Sequence, residues 1–287
     1  MKRINIASFV LAMLFAVPAL AGGGWPQPKG GGYFKLSQWW VIADQHFTGT
    51  GGLDPNVTQA IWNTSLYGEY GITDRLTGIV YFPFFSRTYF NNLVSGTTGE
   101  VLVPGEAING LGDTDLSLKY GLLNKGGFAL STTLTFGLPL GNPSGGTAGN
   151  LQTGDGEFNQ LLQFDLGKSF SYGELPAYAN VYAGFNNRTQ GFSDEIRFGV
   201  ETGVQLLDSR LLVLVRAFGV QSLQNGTLTA ENSTSIFANN SEHFTIAPEV
   251  AWQFNDKWGV SASYSKAVSG RIIFANPAYS AGVYVKL

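Results

Sequence analysis

The sequence predicts an all-β protein, a transmembrane antiparallel β-barrel of about 12 strands with short periplasmic turns and longer extracellular loops. Three observations support this prediction. Apolar and polar residues alternate through long segments, the connections between segments alternate between short and long, and charged residues are sparse. Charged residues make up 13% of the chain, about half of the ~25% usual in soluble domains. The 38 glycines suit many strands joined by turns.

The alternation is plainest in DTDLSLKYGLLNKGGFALSTTLTFGL, residues 113–138. Leucine or an aromatic residue occupies nearly every second position, and Asp, Ser, Thr, Lys or Gly occupies the others. A period of two indicates strands, and the Asn-Lys-Gly-Gly stretch at 124–127 indicates a tight hairpin between them. Ten further segments alternate in the same way: 33–44, 58–72, 76–85, 157–168, 177–186, 194–206, 211–221, 244–254, 258–268 and 278–287.

The connections fall into two sets that alternate strictly along the chain. The short set comprises 73–75, 124–127, 169–176, 208–210 and 255–257. The mostly longer set comprises 45–57, 86–112, 139–156, 187–193, 222–243 and 269–277. Outer-membrane barrels have short periplasmic turns and longer outer loops, whereas a soluble sandwich has no reason to sort loops by length. Most segments are also longer than the ~5–6 residues typical of globular strands and reach the ~9–11 needed to cross a bilayer.

The N-terminus has the pattern of a secretory signal. Lys2 and Arg3 precede an apolar run that ends at Ala19-Leu20-Ala21, the small-x-small form cut by signal peptidases. The predicted organisation is therefore a signal peptide at 1–21, a flexible Gly/Pro-rich segment at 22–32 and the barrel at 33–287. A membrane helix at this position is the less favoured alternative, because the run is short and contains Pro18.

The composition also limits the possible partners. The chain has no cysteine, a net charge of −3 and no basic tract, so the sequence predicts no nucleic-acid partner and no thiolate metal site. No motif indicates a metal or a cofactor. The expected partners are the lipid bilayer, the barrel-assembly machinery of the bacterial outer membrane, and a small-molecule solute.

Three motifs resemble a known bacterial family. They are GLGDTDLSLKYGLL at 110–123, YGITDRLT at 70–77 and LTFGLPLGNPSG at 134–145. They are similar to the outer-membrane family named for the MetA pathway of phenol degradation, whose members are described as transporters. The resemblance implies an outer-membrane barrel that passes small, often aromatic or hydrophobic compounds.

If the apolar faces contact lipid, the polar faces line a lumen. Burying unpaired charge is costly, so neighbouring charges on adjacent strands should form ion pairs. The functional interpretation is a polar constriction that selects solutes by charge and size, and the alternative is a plugged or mainly structural interior. The N-terminal segment or the 86–112 loop is a candidate plug. The predicted lumen-lining residues are Glu69, Asp115, Lys119, Asp165, Glu195, Arg197, Glu201, Arg216 and Glu249.

A second group is predicted at the outer mouth: Asp44, His46 and Asp113. With Asp115, these residues carry the weaker hypothesis of an outer-rim hydrolase that activates water between an Asp/His pair and an Asp pair. A phospholipase would need Ser two residues after its His, and both histidines are followed there by Thr. The sequence therefore predicts a non-enzymatic channel that passes small, hydrophobic or aromatic molecules by passive diffusion. A closed structural or adhesive barrel is the first rival.

Overall fold

The computed structural model describes residues 23–55, 58–228 and 236–287. The predicted signal peptide, residues 1–21, lies outside the described residues. The described chain contains no helix that is long and apolar enough to cross a membrane. Its regular structure consists of strands, numbered β1 to β18 in chain order.

Twelve long strands form the barrel wall. They are β1 (Gly32–Ala43), β4 (Gln59–Gly71), β5 (Leu76–Phe90), β9 (Thr114–Lys125), β10 (Phe128–Leu138), β11 (Asn159–Tyr172), β12 (Leu175–Arg188), β13 (Glu195–Leu206), β14 (Leu211–Ser222), β15 (Glu242–Gln253), β16 (Trp258–Arg271) and β18 (Ala278–Lys286). Short strands occupy the outer loops: β2 (His46–Phe47), β3 (Leu53–Asp54), β6 (Leu93–Val94), β7 (Val101–Val103), β8 (Glu106–Gly110) and β17 (Ile273–Phe274).

The wall closes because the first and last barrel strands pair with each other. β1 pairs antiparallel with β18, from Tyr33 opposite Lys286 to Val41 opposite Ala278. All other neighbouring barrel strands are also antiparallel, and β4–β5 pairing completes the ring. Closure leaves no barrel strand with an unpaired edge, which a chain in hydrocarbon requires. The predicted antiparallel barrel of about twelve strands is confirmed.

The hairpin between β9 and β10 shows how a short turn is made. Lys125 pairs with Phe128, and the two intervening residues, Gly126 and Gly127, have φ angles of 62° and 78°. Positive φ at both central positions matches the twist of the strands and favours glycine over residues with a Cβ. The composition of the predicted turn thus explains its conformation.

The two faces of each wall strand differ in exposure. On β9, Leu116 is 44% and Leu118 50% exposed, whereas Lys119 is 4% exposed. Most other wall strands show the same pattern, which gives the barrel a mainly apolar outer surface and a mainly polar interior. This is the reverse of a soluble protein and matches the lipid-facing assignment made from the alternation.

The structure moves several predicted boundaries. β5 continues five residues past the predicted end at Phe85, to Phe90, and its extension pairs with β8. β11 and β12 are also longer, so the predicted turn at 169–176 shrinks to residues 173–174. The additional residues have mixed polarity, and hydrogen bonding to a neighbouring strand holds them in the sheet although no alternation marks them.

Candidate functional site in the lumen

The periplasmic half of the lumen contains the chain's own N-terminal segment. Residues 23–31, here called the strap, precede β1 and run along the inner wall from β4 to β12. Near β4, the Gly30 amide donates to the Gly71 carbonyl at 2.8 Å. At the far end, the Gly24 amide donates to Asn180 Oδ1 at 2.9 Å. The described part of the segment predicted to be flexible therefore has defined partners at both ends.

Polar side chains of the wall also contact the strap between its two ends and at Gly23. Gln27 Nε2 donates to Glu69 Oε2 at 2.9 Å, and the Gln27 amide donates to Thr77 Oγ1 at 2.8 Å. Lys119 Nζ donates to the Gly23 carbonyl at 2.9 Å. These contacts satisfy polar groups that would otherwise be buried without partners. Glu69 and Lys119, predicted to face solute, instead contact the strap.

Small wall residues make room for the strap. A Cβ at Gly71 would lie 1.9 Å from the Pro28 carbonyl oxygen, and a Cβ at Gly167 would lie 2.4 Å from the Trp25 ring. Side chains at these inward-facing positions would therefore expel the strap. The sequence shows these glycines as polar-face positions of the alternation but gives no sign of what they contact.

A connected set of ion pairs, here called the relay, lies in the middle of the lumen and comprises Lys35, Glu249, Arg216 and Glu201. Arg216 Nε donates to Glu201, and Arg216 Nη1 donates to Glu249 Oε2 at 2.6 Å. Lys35 of β1 donates to the other oxygen of Glu249 at 3.2 Å. The ion pairing predicted between neighbouring strands is therefore present, and it extends to Lys35, which the sequence analysis did not assign. Tyr178 adds a hydrogen bond to Glu201 Oε1 at 2.6 Å and contacts Trp25 of the strap edge-on.

In the outer half, Arg188 organises a cluster of carboxylates. Its guanidinium donates to Asp155 at 2.7 Å, to Glu157 at 2.7 Å and to Glu195 at 2.8 Å. Glu195 also accepts from Arg197 at 2.9 Å. Each of the three guanidinium nitrogens of Arg188 thus donates to a carboxylate, and hydrogen bonds between charged groups are stronger than those between neutral groups. Arg188 belongs to β12, although the sequence places it in a loop.

A cavity of about 530 Å³ lies beside this cluster. Its polar side includes Arg188, Glu195 and Arg197. Its apolar side is formed by wall and loop residues, namely Leu161, Phe218, Val220, Ile236 and Ile273. The cavity therefore has aliphatic and aromatic side chains on one side and charged side chains on the other.

A second apolar cluster lies in the outer half. Val41 and Ile61 of the wall are 2% and 0% exposed, and they share this cluster with Phe274. Phe237, from the connection between β14 and β15, packs against it. An outer loop thus turns inward and brings apolar surface to the lumen.

The nine predicted lumen residues all lie on the inward-facing side of the wall. Among them, Glu69 is 0%, Asp165 3% and Glu195 5% exposed. Asp165 accepts from Gln163 at 3.0 Å, and Asp115 interacts electrostatically with Arg197 and Asp155. Contacts within the protein occupy most of these groups, and their role in selecting solutes stays a prediction. Four further residues form these ion pairs although the sequence did not indicate them, namely Lys35, Asp155, Glu157 and Arg188.

The predicted outer-mouth residues fall into two separate clusters. Asp44 accepts from Asn276 at 2.8 Å, and His46 lies 3.9 Å from Asp54 in the small sheet of β2, β3 and β17. Asp113 instead accepts the backbone amides of Gly141 at 2.9 Å and Asp155 at 2.7 Å. Asp113 therefore fixes the loop after β10 to the rim. Contacts with other residues thus account for His46 and Asp113, and the hydrolase hypothesis gains no support from them.

Asp113 and Asp155 also affect each other's pKa. Burial, and after it the neighbouring Asp113 carboxylate, raises the pKa of Asp155 to about 6. Burial likewise raises the pKa of Asp113, against the hydrogen bonds from Gly141 and Asp155 that lower it. Because two neighbouring carboxylates that are partly buried repel each other when both are charged, the protonated form of at least one of them is favoured.

The closed wall, the apolar outer surface and the charged interior define a β-barrel of the bacterial outer-membrane class. The sequence matches no protein-family model and no curated protein. The COG4313 outer membrane channel from Pseudomonas putida F1 aligns over 93% of this chain and 99% of its own, with 14% identity and a TM-score of 0.59. The NanC porin aligns over 88% of this chain and 100% of its own, with 6% identity and a TM-score of 0.52. At these identities the likeness shows the fold alone.

Proposed function

We propose that this protein is an outer-membrane channel that passes small hydrophobic or aromatic molecules by passive diffusion, without enzymatic chemistry. The observation that carries the proposal is apolar surface inside the lumen. Phe218 and Val220 lie on the same inward face of β14 as Arg216 and line the outer cavity. A channel for hydrophilic solutes has a polar interior, whereas ligand pockets for apolar molecules combine apolar walls with a few polar groups.

The architecture supports a two-stage path. A solute would first occupy the outer cavity, next to Arg197 and Phe218, and would then meet the ion-pair relay and the strap. The contact of Trp25 with Tyr178, and of Tyr178 with Glu201, connects the strap with the relay. Movement of the strap would therefore also change the environment of the relay.

Two parts of the proposal rest on the sequence. The motifs at 70–77, 110–123 and 134–145 support membership of the family named for the MetA pathway of phenol degradation. The signal pattern at 1–21 supports export and insertion by the barrel-assembly machinery. The likeness to the Pseudomonas putida channel and the NanC porin is consistent with a channel.

Uptake by intact cells tests the proposal. Cells without their major porins, but expressing this protein, should take up labelled benzyl alcohol faster than cells with an empty vector. Erythritol, a polar solute of similar mass, should gain little. Val220→Ser should reduce the aromatic uptake because it makes the cavity wall polar.

Val213→Ser is the matched control, because Val213 faces outward on the same strand and is 37% exposed. It should leave uptake unchanged. Equal uptake of benzyl alcohol with and without the protein would refute the channel proposal and favour the closed structural or adhesive barrel. Equal effects of the two valine variants would refute the role of the cavity.

A further inference from the structure

A row of four aromatic side chains and one arginine lies on the outer surface of the barrel, towards the outer ends of five neighbouring strands. Tyr264 of β16 pairs with Tyr279 of β18, and Tyr279 pairs with Trp40 of β1. Trp40 pairs with Trp62 of β4, and Trp62 pairs with Arg87 of β5. The five side chains therefore occupy directly opposed positions from strand to strand. We call them the aromatic row.

The members of the row face lipid. Their chain neighbours Val41, Ile61 and Ser86 are 2%, 0% and 1% exposed and belong to the interior. Because successive strand residues point to opposite faces, Trp40, Trp62 and Arg87 point outward. Tyr279 is 42% and Tyr264 39% exposed, in agreement with this orientation.

The rings of the row contact one another. Trp40 stacks on Trp62 with centroids 5.5 Å apart and an interplanar angle of 11°, and on Tyr279 at 5.8 Å and 26°. Tyr264 meets Tyr279 edge-on at 5.6 Å. Rings held in this way lose little further side-chain freedom when a ligand covers them. The row is thus a preorganised apolar surface four strands wide.

A cation lies at each end of the row. At one end, Arg87 Nη1 donates to Asn109 Oδ1 at 2.9 Å, and its guanidinium lies 5.8 Å from the centre of the Tyr89 ring. At the other end, Lys266 lies two residues beyond Tyr264 and also faces outward, since it pairs with Ile246. Among the residues that the structure describes, neither cation has a carboxylate partner.

The opposite side of the barrel differs. At the outer ends of β11 and β12, Asn187 Nδ2 donates to Gln160 Oε1 at 2.6 Å, so neutral amides face outward there. The row with its two cations therefore differs from the surface at β11 and β12, and it adds positive charge to the aromatic girdle that barrels share. Unpaired cations at a lipid boundary attract anionic head groups, and arginine binds phosphate in a two-pronged geometry.

We propose that the aromatic row, together with Lys266, binds a phosphorylated glycolipid of the outer leaflet. Arg87 and Lys266 bind its phosphates, and Trp40, Trp62 and Tyr279 pack against its acyl chains and sugar. The site is continuous with the lipid-facing surface of the barrel, so the lipid reaches it by lateral diffusion. This proposal does not depend on transport through the lumen.

Lipid retention by the purified full chain tests the proposal. The protein in detergent is mixed with diphosphorylated lipid A or with the same lipid after removal of its phosphates, and bound lipid is counted by native mass spectrometry. The parent should retain the phosphorylated form preferentially. Arg87→Gln with Lys266→Gln should lower that retention about tenfold or more, since each basic residue near a membrane surface contributes about a factor of five.

The matched control removes two cations from the periplasmic end, Lys168→Gln with Lys257→Gln. It changes the net charge equally and should keep retention within about twofold of the parent, on the same scale. Trp40→Leu with Trp62→Leu should weaken binding of both lipid forms. A heat-dependent shift in gel mobility confirms folding of each variant. Retention that ignores the phosphates, or falls equally in the test and control variants, would overturn the proposal.

Discussion

The periplasmic and outer halves of the lumen are occupied in different ways. The periplasmic half contains the strap, whose backbone lies against small wall residues such as Gly71 and Gly167. The outer half is shaped by wall and loop side chains and keeps a cavity of about 530 Å³. The periplasmic half is thus occupied by a segment that is not part of the wall, whereas the outer cavity is lined by wall strands and outer loops. Changes to the strap should alter how much passes, and changes to the outer half should alter what passes.

Removal of the strap should have the largest effect. Deletion of residues 23–30 removes the chain that crosses the periplasmic half, so ion conductance in planar bilayers should rise several-fold. Gly71→Leu should have a smaller effect in the same direction, because a side chain there collides with the Pro28 carbonyl. Gly78→Leu is the control, since a Cβ at this position meets its nearest neighbour, Ile72, at 3.6 Å. Unchanged conductance after the deletion would show that the constriction lies elsewhere.

Loss of Arg216 should have the next largest effect, at the boundary between the two halves. Arg216→Met leaves the Glu201 and Glu249 carboxylates without their shared partner. Since the guanidinium side chain is 35% exposed, we expect a loss of about 2 kcal/mol in the free energy of unfolding, less than a fully buried pair would give. Urea unfolding followed by tryptophan fluorescence measures it. Reversal potentials should shift towards cation selectivity.

Arg197→Met is the comparison for that variant. Glu195 keeps its contacts with Arg188 and Asn186 when Arg197 is lost, so the destabilisation should be smaller. If both arginine variants lost the same free energy of unfolding, the relay would contribute no more to the stability of the barrel than the Arg197–Glu195 pair does.

The titration of Asp155 should give an effect confined to a narrow pH range. An unfolded Asp titrates near ~4, whereas the native pKa of Asp155 is raised to about 6. Between these values the native state binds more protons than the unfolded state, so the free energy of unfolding should fall as pH rises from about 4 to about 6. Asp155→Asn should flatten this slope in urea unfolding at several pH values. A slope identical to that of the parent would remove Asp155 as its source.

The alternation of residues was sufficient to predict the wall. Leu116 and Leu118 were assigned to lipid and Lys119 to the interior because a strand places neighbours on opposite faces, and the structure confirms these assignments. β14 shows the limit of that inference. Leu212 and Leu214 are 4% and 6% exposed and face inward beside Arg216, because they pack with lumen aromatics rather than with lipid. Periodicity separates two faces, but it does not show what covers each one.

The contents of the lumen could not be predicted from local patterns. Arg188 joins Asp155 and Glu157, from the connection before β11, to Glu195 at the start of β13. The only signal in the sequence was a single arginine, Arg188, two residues past the predicted end of its strand at residue 186. The N-terminal segment was one of two candidate plugs, but its contacts could not be predicted. A Gly/Pro-rich sequence is typical of flexible segments, and the partners of the strap become neighbours only when the barrel closes.

The contact between Gly24 and Asn180 also bears on when the strap docks during folding of the barrel. The two residues are separated by 156 positions in the chain. The strap is the first part of the described chain to be synthesised, yet its binding surface is built from β4, β5, β9, β10, β11 and β12. Forming such distant contacts costs loop-closure entropy that only a preformed partner surface offsets. We therefore expect the strap to dock after those strands have joined, so that a nascent barrel passes through a state in which its periplasmic mouth is still unobstructed.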